Sequence, residues 1–391
     1  MRVVLVLDGN QRSALATVRS LGKREIPVIV GDESVPTLAG SSKYCHENMV
    51  YPSPYSMPEE FVEAVKNFSV QRGVEVLFSM SDVTTALLLR YQEEFGVAGI
   101  KLASASSSAF ETLTDKRKLC CLAEELNIPI PVTRHVVSKD TLRTALRDLH
   151  FPVVLKPYRS RIFTGRQWIT ASVAYADSVQ RIERITAENE SFRDHPFLLQ
   201  EYIKGEGRGI FALYDQGRCL ALFAHRRLRE KPLSGGVSVL SESVPVDPDM
   251  SELSRRLLDH VKWHGVAMVE FKVSLNGTPY LMEVNARFWG SLQLAIDAGV
   301  DFPWLLYQMA TNAPLDRVNG YRVGLKNRWL LGDLDHLYLT LKSPTPAVQK
   351  WRAVLCFLNF FNRDTKHEID RWSDLKPFLF ELKQYVVGMR P

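Results

Sequence analysis

VEFKVSLNGTPYLMEVNAR, residues 269–287, places two glutamates where they should meet. Asn276-Gly277 lies between two runs rich in β-branched and apolar residues, the short-range signal for a two-residue β-hairpin. In that register Leu275 faces Thr278, Glu270 faces Glu283 and Met268 faces Asn285. Side chains alternate along a strand. One face therefore carries Met268, Glu270 and Lys272 with Leu281, Glu283 and Asn285. The other carries Ala267, Val269, Phe271, Val273 and Leu275 with Tyr280, Met282, Val284 and Ala286, and reads as core. Like charges directly opposite one another destabilise a sheet. Either one carboxylate takes up a proton or a cation sits between them. Glu270, Glu283 and the carbonyl oxygen of Asn285 form an all-oxygen set that suits Mg²⁺ or Mn²⁺ better than zinc. A solvated edge, its charges paired with Lys272 or Arg287, is the competing reading. The hairpin alone leaves both open.

The rest of the chain narrows the choice. It has 391 residues, 46% hydrophobic and 24% charged, an ordinary globular composition with length for two or three domains. The net charge of +5 is small and its basic residues are dispersed, which does not suggest a nucleic-acid binder. Arg226, Arg227 and Arg229 are a local exception. Five scattered cysteines with no CxxC or Cys/His spacing argue against a disulfide framework or a zinc site, and fit a reducing compartment. No apolar run approaches the length of a membrane span. The N-terminal MRVVLVLDG reads as a strand and not as a signal peptide. A cytoplasmic protein is the expectation. The run VLCFLNFF, residues 354–361, is expected to pack on the body or on a partner.

Along the chain, VVLVLDG (3–9), a helical segment and PVIVGD (27–32) begin a doubly wound α/β pattern. The loop DGNQRSA lacks the GxGxxG dinucleotide fingerprint, which disfavours an NAD-dependent dehydrogenase. Helical spacing at 58–72 and 83–95 flanks a strand at 74–82. A helix opens with Thr-Asp-Lys at 114, and FPVVLKPY (151–158) is a strand running into a basic loop. FLLQEYIKGEGRG leads from a strand into a Gly-rich turn. Residues 210–214 and 219–225 form a hairpin, and an amphipathic helix covers 250–264. The segment from 321 onward is basic and aromatic and reads as helical.

In this order the elements resemble the ATP-grasp superfamily. The matching pieces are TDKRKL, FPVVLKP, the loop to Gly165, LLQEYIKGEG, the HRR…SGG segment and the VEF…LMEVNAR hairpin. The resemblance covers roughly residues 1–315 and is nearest to carboxylate–amine ligases with the carbamoyl-phosphate-synthase-like fold. It implies an α/β and α+β chain with three parts. An N-terminal doubly wound, pre-ATP-grasp α/β domain spans 1–112. An ATP-grasp domain spans 113–320, with a lid near 150–208 and a metal-bearing part near 209–320. A C-terminal helical extension spans 321–391.

The resemblance also implies roles. Lys116 and Lys156 would contact phosphate, and an ammonium is a compact phosphate binder. Gly165 would belong to a flap over the triphosphate, with Ser160 beside it. Gln200, Glu201, Tyr202 and Ile203 would form the adenine hinge, and Glu206 would accept the ribose hydroxyls. Glu270, Glu283 and Asn285 would hold Mg²⁺, or Mn²⁺, against ATP. Arg287 would hold the γ-phosphate or an acyl phosphate bidentately. One arginine of the HRR segment, Arg226 or Arg227 but not both, would face the transferred phosphate; Arg226 is taken for that role. Trp289 and Ser291 would line the acceptor pocket, although Phe288 and Trp289 also suit aromatic core. The implied reaction activates a carboxylate with ATP and couples it to an amine. The alternatives are an ATP-dependent carboxylase or carbamoyl-phosphate-type enzyme, or a catalytically silent nucleotide-binding regulator. The expected partners are a small-molecule carboxylate and amine, with a homodimer by family likeness. Neither a nucleic acid nor a membrane span is expected. Asn10, Ser81, Asp82 and the SGG loop are expected to set specificity.

Overall fold

The computed structural model describes residues 3–147, 150–165, 168–233, 235–359 and 363–388. Ser234 of the expected SGG loop, and Phe360 and Phe361 of the apolar run, lie outside the described residues.

The N-terminal domain is a parallel sheet in the order β3-β2-β1-β4-β5, formed by β1 (Val3–Val6), β2 (Val28–Asp32), β3 (Glu47–Val50), β4 (Val74–Phe78) and β5 (Lys101–Leu102). A continuous apolar strand such as VVLV suits a sheet covered on both faces. Helices Arg12–Gly22, Pro58–Arg72 and Asp82–Arg90 follow the strands they connect. The order reverses beside β1, the topological switch point at which doubly wound sheets open a crevice.

A second sheet is antiparallel, in the order β10-β7-β11-β6. Its strands are β6 (Thr133–Val136), β7 (Val153–Pro157), β10 (Ala174–Ala176) and β11 (Phe197–Glu201). A separate hairpin of β8 (Arg161–Phe163) and β9 (Trp168–Thr170) springs from the end of β7.

The largest sheet has the order β16-β15-β12-β13-β14-β17-β18. It comprises β12 (Gly205–Asp215), β13 (Arg218–Lys231), β14 (Val237–Ser243), β15 (Gly265–Ser274), β16 (Pro279–Asn285), β17 (Lys326–Arg328) and β18 (Thr365–His367). One side of this sheet packs with the N-terminal domain through Phe211, Phe223, Met268, Phe288 and Trp289. The other side buries Ile210, Ala224, Val269, Phe271 and Leu281 with Trp263 and the helix Pro248–His260.

Two expectations are corrected here. The segment after 321 is not only helical. It contributes β17 and β18, which pair in parallel and extend the sheet. It is also fastened to the first helix by charges. Arg19 Nε meets Asp374 Oδ2 at 2.9 Å, and its guanidinium donates to the backbone oxygens of Glu368, Ile369 and Asp374. Arg12 pairs with Glu368, and Arg371 with Asp297.

The hairpin loop is the second correction. Ser274 N donates to Thr278 O, so the loop has three residues, with Gly277 at φ +90°. Gly is what such a left-handed position admits. This shifts the register by one residue near the turn, so Phe271 faces Leu281. A bulge at Met282 then shifts it back, and Glu270 faces Glu283 after all. Leu281 consequently turns to the core, and Leu275 is exposed.

Candidate functional site

A cleft of about 240 Å³ opens where the N-terminal domain, the β8–β9 hairpin and β16 converge. Asp82, Lys116, Arg159, Ser160, Arg161, Trp168, Glu283, Asn285 and Arg287 are among the residues that line it. Trp168 N donates to Tyr55 O at 3.0 Å, which lays the β8–β9 hairpin against the N-terminal domain. Gly165, at the tip of that hairpin, has φ +91° and open space around its Cα.

The two facing glutamates are held by cations of the protein itself. Glu270 Oε2 accepts from Arg227, and its Oε1 accepts from Asn285 Nδ2 at 2.9 Å. Burial raises the Glu270 pKa, against the pull of Arg227. Burial also opposes the charge on Glu283, but Lys116, Lys156 and Arg227 outweigh it and hold that pKa down. Lys116 Nζ lies 3.8 Å from Glu283 Oε2 and donates to Ser160 Oγ at 3.2 Å.

Lys116 is the first residue of the helix Lys116–Glu125, capped by the Asp115 carboxylate. A cation at a helix N-terminus opposes the macrodipole, so helix formation gives it no reason to be there. Lys156 stands in β7, buried, facing Leu198 of β11. Burial lowers its pKa to about 8, against the pull of Glu283. Among the described residues its ammonium has no hydrogen-bond or ion-pair partner. Arg287 donates to Asp82 Oδ1 at 2.8 Å and to Phe288 O at 3.0 Å, tying the end of the β15–β16 hairpin to the N-terminal domain.

Gln200 ends a buried run of β11. Its Nε2 donates to Thr133 Oγ1 at 2.9 Å, while its Oε1 is buried without a partner. Glu201 is exposed and Ile203 buried. Tyr202 stands edge-on to Tyr175 at 6.1 Å between ring centroids.

Two expected residues lie elsewhere. Strand β12 opens with GEGRG, so Gly205, Gly207 and Gly209 share one face and Glu206 and Arg208 the other. Gly209 faces Glu270 on β15 and His225 on β13. Arg208 faces Arg226. Glu206, Arg208 and Arg226 are therefore on the side away from Glu270, where Glu206 pairs with Arg208 at 2.9 Å and Arg226 with Glu242 at 2.7 Å. The structure thus takes Arg226 away from the glutamate pair and puts Arg227 there instead, while Glu206, expected at a ribose, is paired with Arg208 on the outer side. Arg227 crosses the bare surface of β12 to reach Glu270, and a Cβ on Gly207 would lie 3.8 Å from Arg227 Cδ. The period-two glycines were the available signal for this path. Trp289 and Ser291 do not open on the cleft. Trp289 is buried against Phe211, and Ser291 Oγ meets His225 Nε2 at 2.9 Å. Asn10 is likewise occupied, tied to Asp32 and Leu38.

Two carboxylates and an amide are too few oxygens for a six-coordinate cation. Among the described residues no group of three His, Cys, Asp or Glu gathers around one point. Phosphate oxygens of a nucleotide would complete such a shell. The unpartnered Lys156 ammonium and Gln200 carbonyl fit the two ends of the same ligand, a polyphosphate and a base with an exocyclic amine. The residues present therefore fit Mg-ATP.

A family model described as ATP-grasp in the biosynthetic pathway with Ter operon matches residues 193–330. The carbamoyl phosphate synthase large chain of Clostridium acetobutylicum is 24% identical over 291 residues, which cover 72% of this chain and 26% of that one. That of Sulfolobus acidocaldarius is 24% identical over 196 residues, covering 48% and 18%. The chain thus spans about a quarter or less of the length of these curated relatives. Among solved structures, a biotin carboxylase–β-γ-ATP complex from Campylobacter jejuni superposes with a TM-score of 0.65 at 13% identity, covering 83% of this chain and 74% of that one. An ADP complex of N5-carboxyaminoimidazole ribonucleotide synthetase gives 0.64 at 13%, covering 83% and 80%. An L-amino acid ligase from Bacillus licheniformis gives 0.61 at 16%, covering 79% and 74%. These likenesses show the fold, and over residues 193–330 the chain is similar to ATP-grasp proteins.

Proposed function

We propose that the chain is a Mg-ATP-dependent ligase that activates a small carboxylate as an acyl phosphate and couples it to an amine. The observation that carries this reading is the convergence of Lys116, Glu283, Asn285 and Arg287 on one cleft, with Glu270 hydrogen-bonded to Asn285 behind it and the Lys156 charge acting on Glu283. Glu270, Glu283 and Asn285 would hold Mg²⁺, which supplies charge neutralisation along the phosphates when bound. Phosphoryl transfer is chiefly a matter of positioning and electrostatic stabilisation. Lys156 and Lys116 supply compact positive charge to the phosphates. Release of Glu283 from Lys116, and of Glu270 from Arg227, frees both carboxylates and both cations for the ligand. The Gln200–Ile203 segment accommodates the base. Arg287, anchored by Asp82 at the N-terminal domain, holds the edge of the cleft where a carboxylate enters. The β8–β9 hairpin closes over the site and excludes water, which protects a hydrolysable acyl phosphate.

A second reading rests on the carbamoyl phosphate synthase and biotin carboxylase likenesses. In it the activated carboxylate is bicarbonate. ADP release from Mg-ATP, measured against a panel of amino acids, small carboxylates, amines and bicarbonate, separates the two. Acceptor-dependent ADP release with an amino acid or amine, abolished in Glu283→Gln, supports the ligase. Release with bicarbonate alone supports the second reading. Binding of Mg-ATP without turnover for any acceptor would favour a silent regulator.

A further inference from the structure

Exposed large apolar side chains are not spread evenly over this molecule. Of 30 among the described residues, 12 lie between Tyr338 and Val387. The helix Ala347–Leu358 concentrates them and has no fully buried residue. Val348, Trp351, Leu355 and Leu358 recur at the i, i+3, i+7, i+10 spacing of one helical stripe. They are 80%, 70%, 67% and 57% exposed. The opposite stripe, with Ala353, Val354 and Phe357, is half-buried. It is held in place by Arg328, whose Nη2 donates to Phe357 O at 2.8 Å and whose guanidinium lies 4.4 Å from the Phe357 ring centroid. The helix is thus fastened along one side and presents an apolar stripe on the other. Exposed Tyr338 and Leu341 belong to the preceding helix, Leu330–Lys342.

The helix that bears this stripe carries only basic charge, Lys350 and Arg352, and the flanking sequence is mostly basic. Lys342, Lys350, Arg352, Arg363 and Lys366 stand in residues 342–366 with Asp364 as the only acid. Asp364 is already paired with Arg322. An isologous contact brings a patch against its own copy, so a second chain would set cations against cations. An anionic bilayer accepts both components. Apolar side chains enter the acyl boundary, a Trp sits at the headgroup level, and basic residues meet lipid phosphates. We propose that the helix Ala347–Leu358 is a peripheral anchor that lays its Val348–Trp351–Leu355–Leu358 stripe into the surface of an anionic phospholipid bilayer. No helix among the described residues is long and apolar enough to cross a membrane, so the anchor lies on the surface.

Co-sedimentation of the full chain with vesicles tests this. The vesicles are an equal mixture of phosphatidylglycerol and phosphatidylcholine, or phosphatidylcholine alone. The wild type should pellet with the anionic vesicles, and high salt should release it. A Trp351→Ser/Leu355→Gln variant should bind about tenfold more weakly, and Lys350→Gln/Arg352→Gln should lose most of the salt dependence. None of the four positions lines the cleft, and unchanged thermal unfolding and Mg-ATP binding would show that the fold is intact. A wild type that stays in the supernatant with anionic vesicles overturns the proposal. So does equal binding by the Trp351→Ser/Leu355→Gln variant. A wild type that dimerises in lipid-free buffer and ignores vesicles, with a monomeric variant, would assign the stripe to a second copy instead.

Discussion

The two faces of β12, β13 and β15 carry similar charges to different ends. On one face Arg227 reaches Glu270 across Gly207 and Gly209, within a buried setting where burial raises the Glu270 pKa. On the other, Arg226 and Arg208 pair with Glu206 and Glu242, and the Arg226 side chain is 41% exposed. An exposed pair exchanges one hydrated partner for another and contributes little. A buried carboxylate whose neighbours do not fully offset the cost of its burial is ready to take a cation. The difference lies less in the charged residues than in the glycines between them, which clear a path on one side only.

Four measurements sharpen or break that contrast. Glu283→Gln removes charge from the cleft face, and kcat should fall by about 10³-fold, the order lost with a principal electrostatic group. If acceptor-dependent ADP release survives, the cleft face is not the site of chemistry. Arg227→Ala should lower kcat/KM for ATP by about 10²-fold, within the range for residues that orient metal ligands.

Gly207 gives a subtler probe. An added Cβ meets nothing closer than 3.8 Å, so Gly207→Ala should keep activity, while the branched side chain of Gly207→Val crowds Arg227 and should cost about tenfold in kcat/KM. Equal activity of the two would show that the path across β12 is unimportant. Arg226→Ala, on the opposite face, should change kcat/KM by no more than about twofold and stability by less than about 1 kcal/mol. A loss rivalling that of Arg227→Ala would return Arg226 to the site and undo the distinction between the faces.

Lys156 adds a pH dependence on the cleft side. Its folded pKa of about 8 lies below the ordinary 10.5, so folding disfavours its charged form. The penalty is present below pH 8 and is relieved as pH rises from about 8 to 10.5, so this group contributes a rise in stability over that range. If Lys156 holds phosphate as proposed, ATP binding draws on the charged ammonium and should weaken over the same range. The two trends have opposite signs, and both should vanish in Lys156→Gln. Unfolding and kcat/KM profiles measured side by side would check this.

The sequence revealed the sheet pairing of the glutamates through two offsetting departures from a simple hairpin. The three-residue turn moved the register and the Met282 bulge restored it. Local propensity shows a turn near Asn276-Gly277 but not its length, and bulges leave little trace in single-sequence patterning. Lys116 and Lys156 were legible because each ends or begins a recognisable element. Choosing between Arg226 and Arg227 needed the phase of β13 against β12, a long-range property that neighbouring residues do not encode. The alternate glycines carried that phase. Strands β17 and β18 were invisible for another reason. Each is three residues long, polar throughout, and exists only because partners far along the chain pair with it.

The buried contact between Arg19 and Asp374 has a consequence for biosynthesis. Arg19 lies in the first helix, but its partners are made some 350 residues later. A buried guanidinium without its carboxylate is strongly unfavourable. During translation the first helix therefore cannot settle into its final burial while residues 368–374 are still inside the ribosome. The N-terminal domain, though first to emerge, would be among the last parts to lock, and a nascent chain arrested before residue 365 should remain protease-sensitive around Arg19.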